Sequence, residues 1–317
     1  MSADTPDVRY PAVFVREDAI AITSQARHRR TLIGVGTLAV GLEILNGLSA
    51  FNLTGLWFWG SKTLFLVVIG LLGFELFASH AEKLEVPWYD ARAAAESTKT
   101  LYWRFLVGGD PFPRRIDHSD AETLLTERIA RVLSELGKSA SDSAELIDAE
   151  TLAWGRAVRE RSLKERIDFY RRFRIENQEA WYARKSEHLS RLSRRLLRLA
   201  IAAASVAFLL AVGVLVGNAV DSRATDVLNK TGSFSGVFLQ SAVVLFGYSA
   251  IRNYRRDSRA YEVTRSEIRA IASLITHDLA ENQWSVLVDE IEEVFSREHV
   301  TWHASHSGEI RLPPAGD

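Results

Sequence analysis

LAIAAASVAFLLAVGVLVG, residues 199–217, runs nineteen positions without a charged side chain. At about 1.5 Å rise per residue it covers about 28 Å, close to the thickness of a bilayer's hydrocarbon core. Arg191, Arg194, Arg195 and Arg198 stand before it, and the chain turns polar after it at Asn218 and Asp221. A basic collar on an unbroken apolar run of this length is read as a membrane span, with the guanidinium groups in the headgroup region. Three further apolar blocks, 31–51, 63–79 and 234–251, alternate with charged, Arg-rich segments. The expected fold class is therefore all-α: four spans in two transmembrane hairpins, with long helices outside the membrane.

In the first hairpin the legs are joined by NLTGLWFWGSK, and Trp57, Phe58 and Trp59 are expected in that loop, at the headgroup level. The outer loops are poor in cations: Lys62 in the first, and Arg223 and Lys230 balanced by Asp221 and Asp226 in the second. The arginine collars lie before the first span (Arg27, Arg29, Arg30), before the third and after the fourth (Arg252, Arg255, Arg256, Arg259). This bias puts both termini in the cytoplasm.

The net charge of −1 gives no support to a nucleic-acid partner, and the absence of Cys excludes disulfides, thiol chemistry and thiolate metal sites. The first apolar block starts at residue 31 and lacks a small-residue cleavage site, so it reads as a retained span.

Outside the spans the pattern is helical. Residues 10–30 form an amphipathic segment with Val13, Phe14, Ile20 and Ile22 on its apolar side. A helix restarts at Pro87 and stops at Gly108, Gly109, Pro111 and Pro113. Ser119 and Glu122 have capping-box spacing ahead of Leu125, Ile129, Val132, Leu133 and Leu136. Residues 138–150 make a polar linker. From Ser162 to Arg198 there is neither Gly nor Pro, which predicts one long helix feeding the span at Leu199. Another is expected to run on from the fourth span to about Leu279, and a last one from Trp284 to about His303, burying Leu287, Val288, Ile291, Val294 and Phe295. The expected domains are 1–137 and 151–304, with a disordered tail over 305–317.

Two carboxylates fall inside spans. Glu43 is deep, with Asn46 a turn away, and Glu75 lies within about a turn of the cytoplasmic end. Such groups face a pore, a water-filled cavity or a partner helix. Glu43, Asn46, Glu75 and Gln240 are therefore the pore or gate candidates, and the other reading is that they only tie helices together. Ala203, Ala207 and Ala211, followed by Gly213 and Gly217, form a small-residue stripe suited to close helix packing. His299, His303 and His306 have helical spacing but no acidic orienting partner for the second and third, so no metal is expected. No nucleophile–base–acid set and no phosphate-binding Gly loop is present, so no enzyme activity and no cofactor are expected.

The segment WYDARAAAESTKTLYWRFLVGGDPF (88–112) resembles the WYxxRxxAESxKxxxWR…PF signature of SLATT-type membrane proteins. YPAVF…D…Q (10–25), RIENQEAWYARKS (174–186) and EEVFSREHVTWHA (292–304) resemble further parts of that family, arranged as two fused modules. The resemblance implies a bacterial inner-membrane effector, associated with nucleotide-generating or nucleotide-sensing partner proteins in anti-phage conflict systems, with pore formation as the family's proposed activity. Carried over by position, the matching residues are Trp88, Tyr89, Arg92, Glu96, Lys99, Trp103 and Arg104 in the first module. Gln178, Trp181, Tyr182, Arg297, Glu298 and Trp302 match in the second. They either relay a signal to a partner or only hold the cytosolic helices together. The leading expectation is a homo-oligomeric, pore-forming or membrane-disrupting effector in contact with the lipid bilayer, whose pathway favours cations if Glu43 is ionised. The alternative is a non-conducting scaffold that recruits a soluble partner.

Overall fold

The computed structural model describes residues 8–49, 56–81, 86–138, 146–220, 230 and 232–307, without the side chains of 49, 56–58, 72, 74–81, 86–87, 220 and 296–307. Among the described residues the chain is all-α, with no strand. The helices are α1 (Ala12–Ser49), α2 (Leu56–Ala81), α3 (Val86–Val107), α4 (His118–Glu135), α5 (Ala149–Arg159), α6 (Leu163–Tyr170), α7 (Glu176–Val220), α8 (Ser235–Ile251), α9 (Tyr254–Ala272) and α10 (Glu281–Ser307). Between α6 and α7 the helix widens into a π-turn over Arg171–Ile175 without breaking, so Leu163–Ala219 is one continuous helix. That helix and Ala12–Leu48 are long and apolar enough to cross a membrane; Trp59–Leu71 and the 17 residues of α8 are shorter apolar helices.

The chain divides into two compact units that cut across its order. One comprises 1–25, 85–185 and 260–317; the other comprises 26–84 and 186–259.

In the first unit α3 is central and packs against α4, α5, α6 and α10. Trp103, Phe105, Leu106, Leu125, Ile129, Tyr170, Trp284, Val288 and Ile291 fill its core. The C-terminus of α3 is held from three sides. Gly108 takes φ 79 and ends the helix, and a Cβ on Gly109 would stand 2.4 Å from Val288 Cγ1, so α10 packs directly on this turn. Arg166 donates to Val107 O (2.7 Å) and Trp284 Nε1 to the same oxygen (2.8 Å). Arg159, 0 % exposed, donates to Phe105 O and to Phe112 O (3.1 Å) and lies 4.8 Å from the Phe105 ring. The last carbonyls of a helix lack internal partners and carry partial negative charge, which suits these guanidinium groups. Burial, with Arg114 and Arg166 close by, pulls Arg159 down to about 10, still charged at neutral pH.

In the second unit the contacts fix a register. On α1, a Cβ on Gly36 would stand 2.7 Å from Val244 Cγ1, and one on Gly47 would stand 3.3 Å from the Phe234 ring. Ser233 Oγ donates to Gly47 O (3.1 Å). Thus α1 and α8 run antiparallel. Farther round, a Cβ on Gly232 would stand 2.3 Å from Val214 of α7, while Ser186 and Ser258 donate hydroxyl hydrogens to each other's carbonyls, both at 2.9 Å. So α7 is antiparallel to the α8–α9 segment. Large apolar side chains point outward: Leu64, Leu66 and Val67 on α2, Phe208, Leu209 and Leu215 on α7, Leu239, Val243 and Phe246 on α8.

Several local expectations change. Leu56–Lys62 are already helical, so Trp59 lies on α2 rather than in a loop. On α1 the buried face near the start is Val13, Phe14, Glu17 and Ala21, whereas Ile20 and Ile22 are exposed. Asp117, not Ser119, caps α4 by accepting from Ser119 N, and the reciprocal capping box is Ser162 with Glu165. The helix after the fourth apolar block is interrupted at Arg252–Asn253, where Asn253 takes φ 48, and α9 ends at Ala272. Within the polar linker, Leu146 and Ile147 are buried.

Candidate functional site

Most of the described relay candidates lie on α3 and the start of α7, within the first unit, and Lys99, Trp103 and Gln178 belong to or touch a buried ion network. Its centre is Glu292 of α10, 0 % exposed. Arg174 of the π-turn grips it with both faces of its fork, Nε to Oε1 at 2.8 Å and Nη2 to Oε2 at 2.5 Å. Tyr170 donates its hydroxyl to Oε1 at 2.9 Å. The Arg174 guanidinium also stands 4.4 Å from the Phe295 ring and 5.9 Å from Trp103. With its amide oxygen turned inward, Gln178 accepts from Arg174 Nη1 (3.2 Å) and from Lys99 Nζ (3.1 Å). Lys99 thereby joins the network from α3, and its ammonium lies 5.8 Å from the Phe14 ring of α1.

Burial opposes the charge on Arg174, but the Glu292 carboxylate outweighs it and holds the guanidinium above its ordinary range. Lys99 has weaker compensation. Burial lowers it to about 8, against the pull of Glu96 and with the push of Arg174 and Arg92. Burial, then the Glu292 charge, raises the Tyr170 hydroxyl well above its usual value, so it serves as a donor.

Around this centre, Arg104 pairs with Asp289 (2.7 Å) and ties α3 to α10, while Arg92 pairs with Glu96 along α3 (3.1 Å). The Trp88 and Tyr89 rings lie 4.8 Å apart, tilted by 36°, in a separate apolar cluster with Ala21 and Ala91. Trp181 and Tyr182 meet Tyr261 of α9 at 5.6 and 5.7 Å. Arg297, Glu298, Trp302, His299, His303 and His306 lie on α10, but their side chains are outside the described residues.

The polar residues of the apolar helices are more dispersed. Glu43 Oε2 lies 2.9 Å from where a Cβ on Gly236 would stand, so the carboxylate rests on the first turn of α8 in space that glycine leaves. That turn has no side-chain cap at Phe234, and the positive end of a helix dipole favours a nearby carboxylate. Asn46 is exposed on α1, Gln240 is half-buried on α8, and the Glu75 side chain is outside the described residues. In the small-residue stripe Ala207 is buried and Ala203 and Gly217 are half-buried. Ala211 and Gly213 face outward, and Gly213 has open space where a Cβ would be.

Lys99, Trp103 and Gln178 are among the residues expected from the sequence; Arg174, Tyr170 and Glu292, the groups that join them, are not. A signal for Glu292 was present: it lies four residues after Val288 and three before Phe295, on the apolar face of α10. Arg159 and Arg166 carry no such signal, because their partners lie far off in sequence: backbone carbonyls at the end of α3 and in the turn after it, and for Arg166 also Glu281 of α10.

Neither the curated proteins nor the solved structures contain a significant match to this chain. Two family profiles match in tandem: SMODS and SLOG-associating 2TM effector domain 3 over residues 11–167, and SMODS and SLOG-associating 2TM effector domain 1 over residues 170–302. The junction falls inside α6, just ahead of the π-turn. Arg174, Gln178 and Glu292 thus come from the second match and Lys99 and Trp103 from the first. The chain belongs to the SLATT family of two-transmembrane effector domains, as a fusion of two members.

Proposed function

We propose that this protein is a four-span membrane effector that acts as a homo-oligomer in a bacterial inner membrane, with both termini in the cytoplasm. On this reading it opens a pore or otherwise disrupts the membrane when its first unit receives a signal, in an anti-phage conflict system. The observation that carries the reading is the second unit itself. Its helices turn large apolar side chains outward along α2, α7 and α8, a surface that would drive aggregation in water and suits lipid. Two fused domains, each of a two-span class, agree with four spans. The ion network supports a relay role for the first unit, because it draws residues from both fused domains into one buried cluster. A soluble nucleotide-generating or nucleotide-sensing protein is the partner class we assign to it.

One observation favours a second reading. Glu43 rests on Gly236 of the neighbouring helix, as a residue that locks two spans together would in a non-conducting scaffold. Membrane potential in bacteria expressing the chain, followed with a voltage-sensitive dye, separates the two. A pore lined by Glu43 depolarises the cells, and Glu43→Leu at matched protein level abolishes the effect. Equal depolarisation by both forms removes Glu43 from the pathway but keeps membrane disruption. Polarised cells with both forms, even when the chain is co-expressed with its genetic neighbours, favour the scaffold.

A further inference from the structure

The chain's net charge of −1 conceals a strong segregation. The stretches 26–30, 186–198 and 252–259, all in the second unit, hold eleven arginines, no lysine, and only Glu187 and Asp257 as carboxylates, a net of +9. The remainder of the chain therefore carries −10. Arg27, Arg29, Arg30, Arg191, Arg194, Arg195, Arg198, Arg255, Arg256 and Arg259 are exposed. Glu187 pairs with Arg191 along the helix at 3.1 Å.

The register places these arginines together. On the α1–α8 pairing (Gly36 with Val244, Glu43 with Gly236, Gly47 with Phe234), residues 27–30 stand level with about 250–253. On the α7 pairing (Val214 with Gly232, Ser186 with Ser258), residues 191–198 stand level with about 247–254. At about 1.5 Å per residue the three stretches fall in one layer about 15–20 Å deep, at the end of the apolar helices.

We infer that this layer is a binding surface for the phosphodiester headgroups of anionic phospholipids. This rests on the reading that the second unit spans the membrane. The chemistry is specific to it: the planar guanidinium fork matches a phosphate oxygen pair, a geometry lysine lacks, and every cation in the layer is arginine. Directly beside an outward apolar surface, the phosphate at this height is that of a lipid.

The test uses the full chain purified in detergent and titrated with short-chain phosphatidylglycerol, short-chain phosphatidylcholine or inorganic phosphate, with tryptophan fluorescence melting as readout. Phosphatidylglycerol raises the melting midpoint, and the other two do not. A cation near an anionic surface is worth roughly fivefold in affinity. A variant with Arg191, Arg194, Arg195 and Arg198 changed to Gln therefore loses about a hundredfold or more, while its midpoint without lipid is unchanged. A second variant, with Arg255, Arg256 and Arg259 changed to Gln, loses affinity in the same sense and guards against one that fails to fold. Equal response to phosphatidylcholine, unchanged affinity in both variants, or full substitution by inorganic phosphate overturns the proposal. Retention in membranes through a carbonate wash is scored separately and reports on the spanning reading alone.

Discussion

Glu292 neutralises a guanidinium that the rest of the core cannot. Removing one partner of a buried pair leaves an uncompensated charge, which costs about 3–5 kcal/mol, while replacing both by apolar groups of similar size is often neutral or better. Glu292→Ala is expected to lower the stability of the purified protein by that amount in chemical denaturation. The double change Arg174→Met with Glu292→Leu is expected to recover most of it. Recovery only on restoring both charges would show that the pair stabilises the fold outright. Lys99 gives a pH signature. Its ordinary pKa of 10.5 falls to about 8 in the folded protein. Below pH 8 both folded and unfolded chains hold the proton, and the cost of burying the ammonium is fully present. Between about 8 and 10.5 the folded chain releases the proton and the unfolded chain keeps it, so stability contributed at this site rises with pH through that window. Denaturation midpoints at pH 7.5 and pH 9.5 should show this rise in the parent relative to Lys99→Met, which removes it and is more stable near neutrality. A parallel course for the two would place the lysine in contact with water.

At the scale of elements, α1 and α8 touch through glycines, and that seam is sensitive to a single carbon. Gly36→Ala puts a methyl 2.7 Å from Val244 Cγ1 and is expected to cost about 1–3 kcal/mol, lowering the melting midpoint in detergent. Val244→Ala in the same chain relieves the overlap and restores at least half of the loss. Gly213→Ala, in open space on α7, should leave the midpoint unchanged, and an equal loss there would sink the explanation by overlap. Which elements could be read in advance follows the same logic of range. The apolar run of α7 is legible because its nineteen residues need no partner to declare themselves, and the helix before it because neither Gly nor Pro interrupts it. The start of α1 departs from its sequence pattern because Glu17 is buried by pairing with Lys138, 121 residues away, so a charge shares the buried face with Val13, Phe14 and Ala21 while Ile20 and Ile22 are exposed. NLTGLWFWGSK reads as a loop because it separates two apolar blocks, yet its second half continues the helical pattern and α2 simply begins earlier, at Leu56. For the network, the pattern named its edges and missed its centre, since a buried Arg–Glu pair and a solvated one look alike in sequence.

At the scale of the whole molecule, the two family matches divide the chain near residue 168, but the compact units do not follow that division. Each unit is assembled from both halves: the first takes α3, α4 and α5 from one and α10 from the other, and the second takes most of α1 and α2 from one and most of α7 and α8 from the other. Two independent modules on a string would each keep its own core. Here, cutting the chain leaves α3 without Trp284, Val288 and Ile291 of α10, and α1 without Val244 and Gly236 of α8, so each half exposes core and seam at once. Opening the polar linker at residues 138–150 provides the test. The fragments 1–138 and 146–317, each expressed alone with its own tag, should aggregate or be degraded. Co-expressed, they should purify together and melt as one species, with Glu292→Ala in the second fragment lowering that midpoint as in the intact chain. If either fragment alone gives a monodisperse species with a cooperative melt, the halves are autonomous domains, and the ion network is a contact between finished structures rather than part of a core they build jointly.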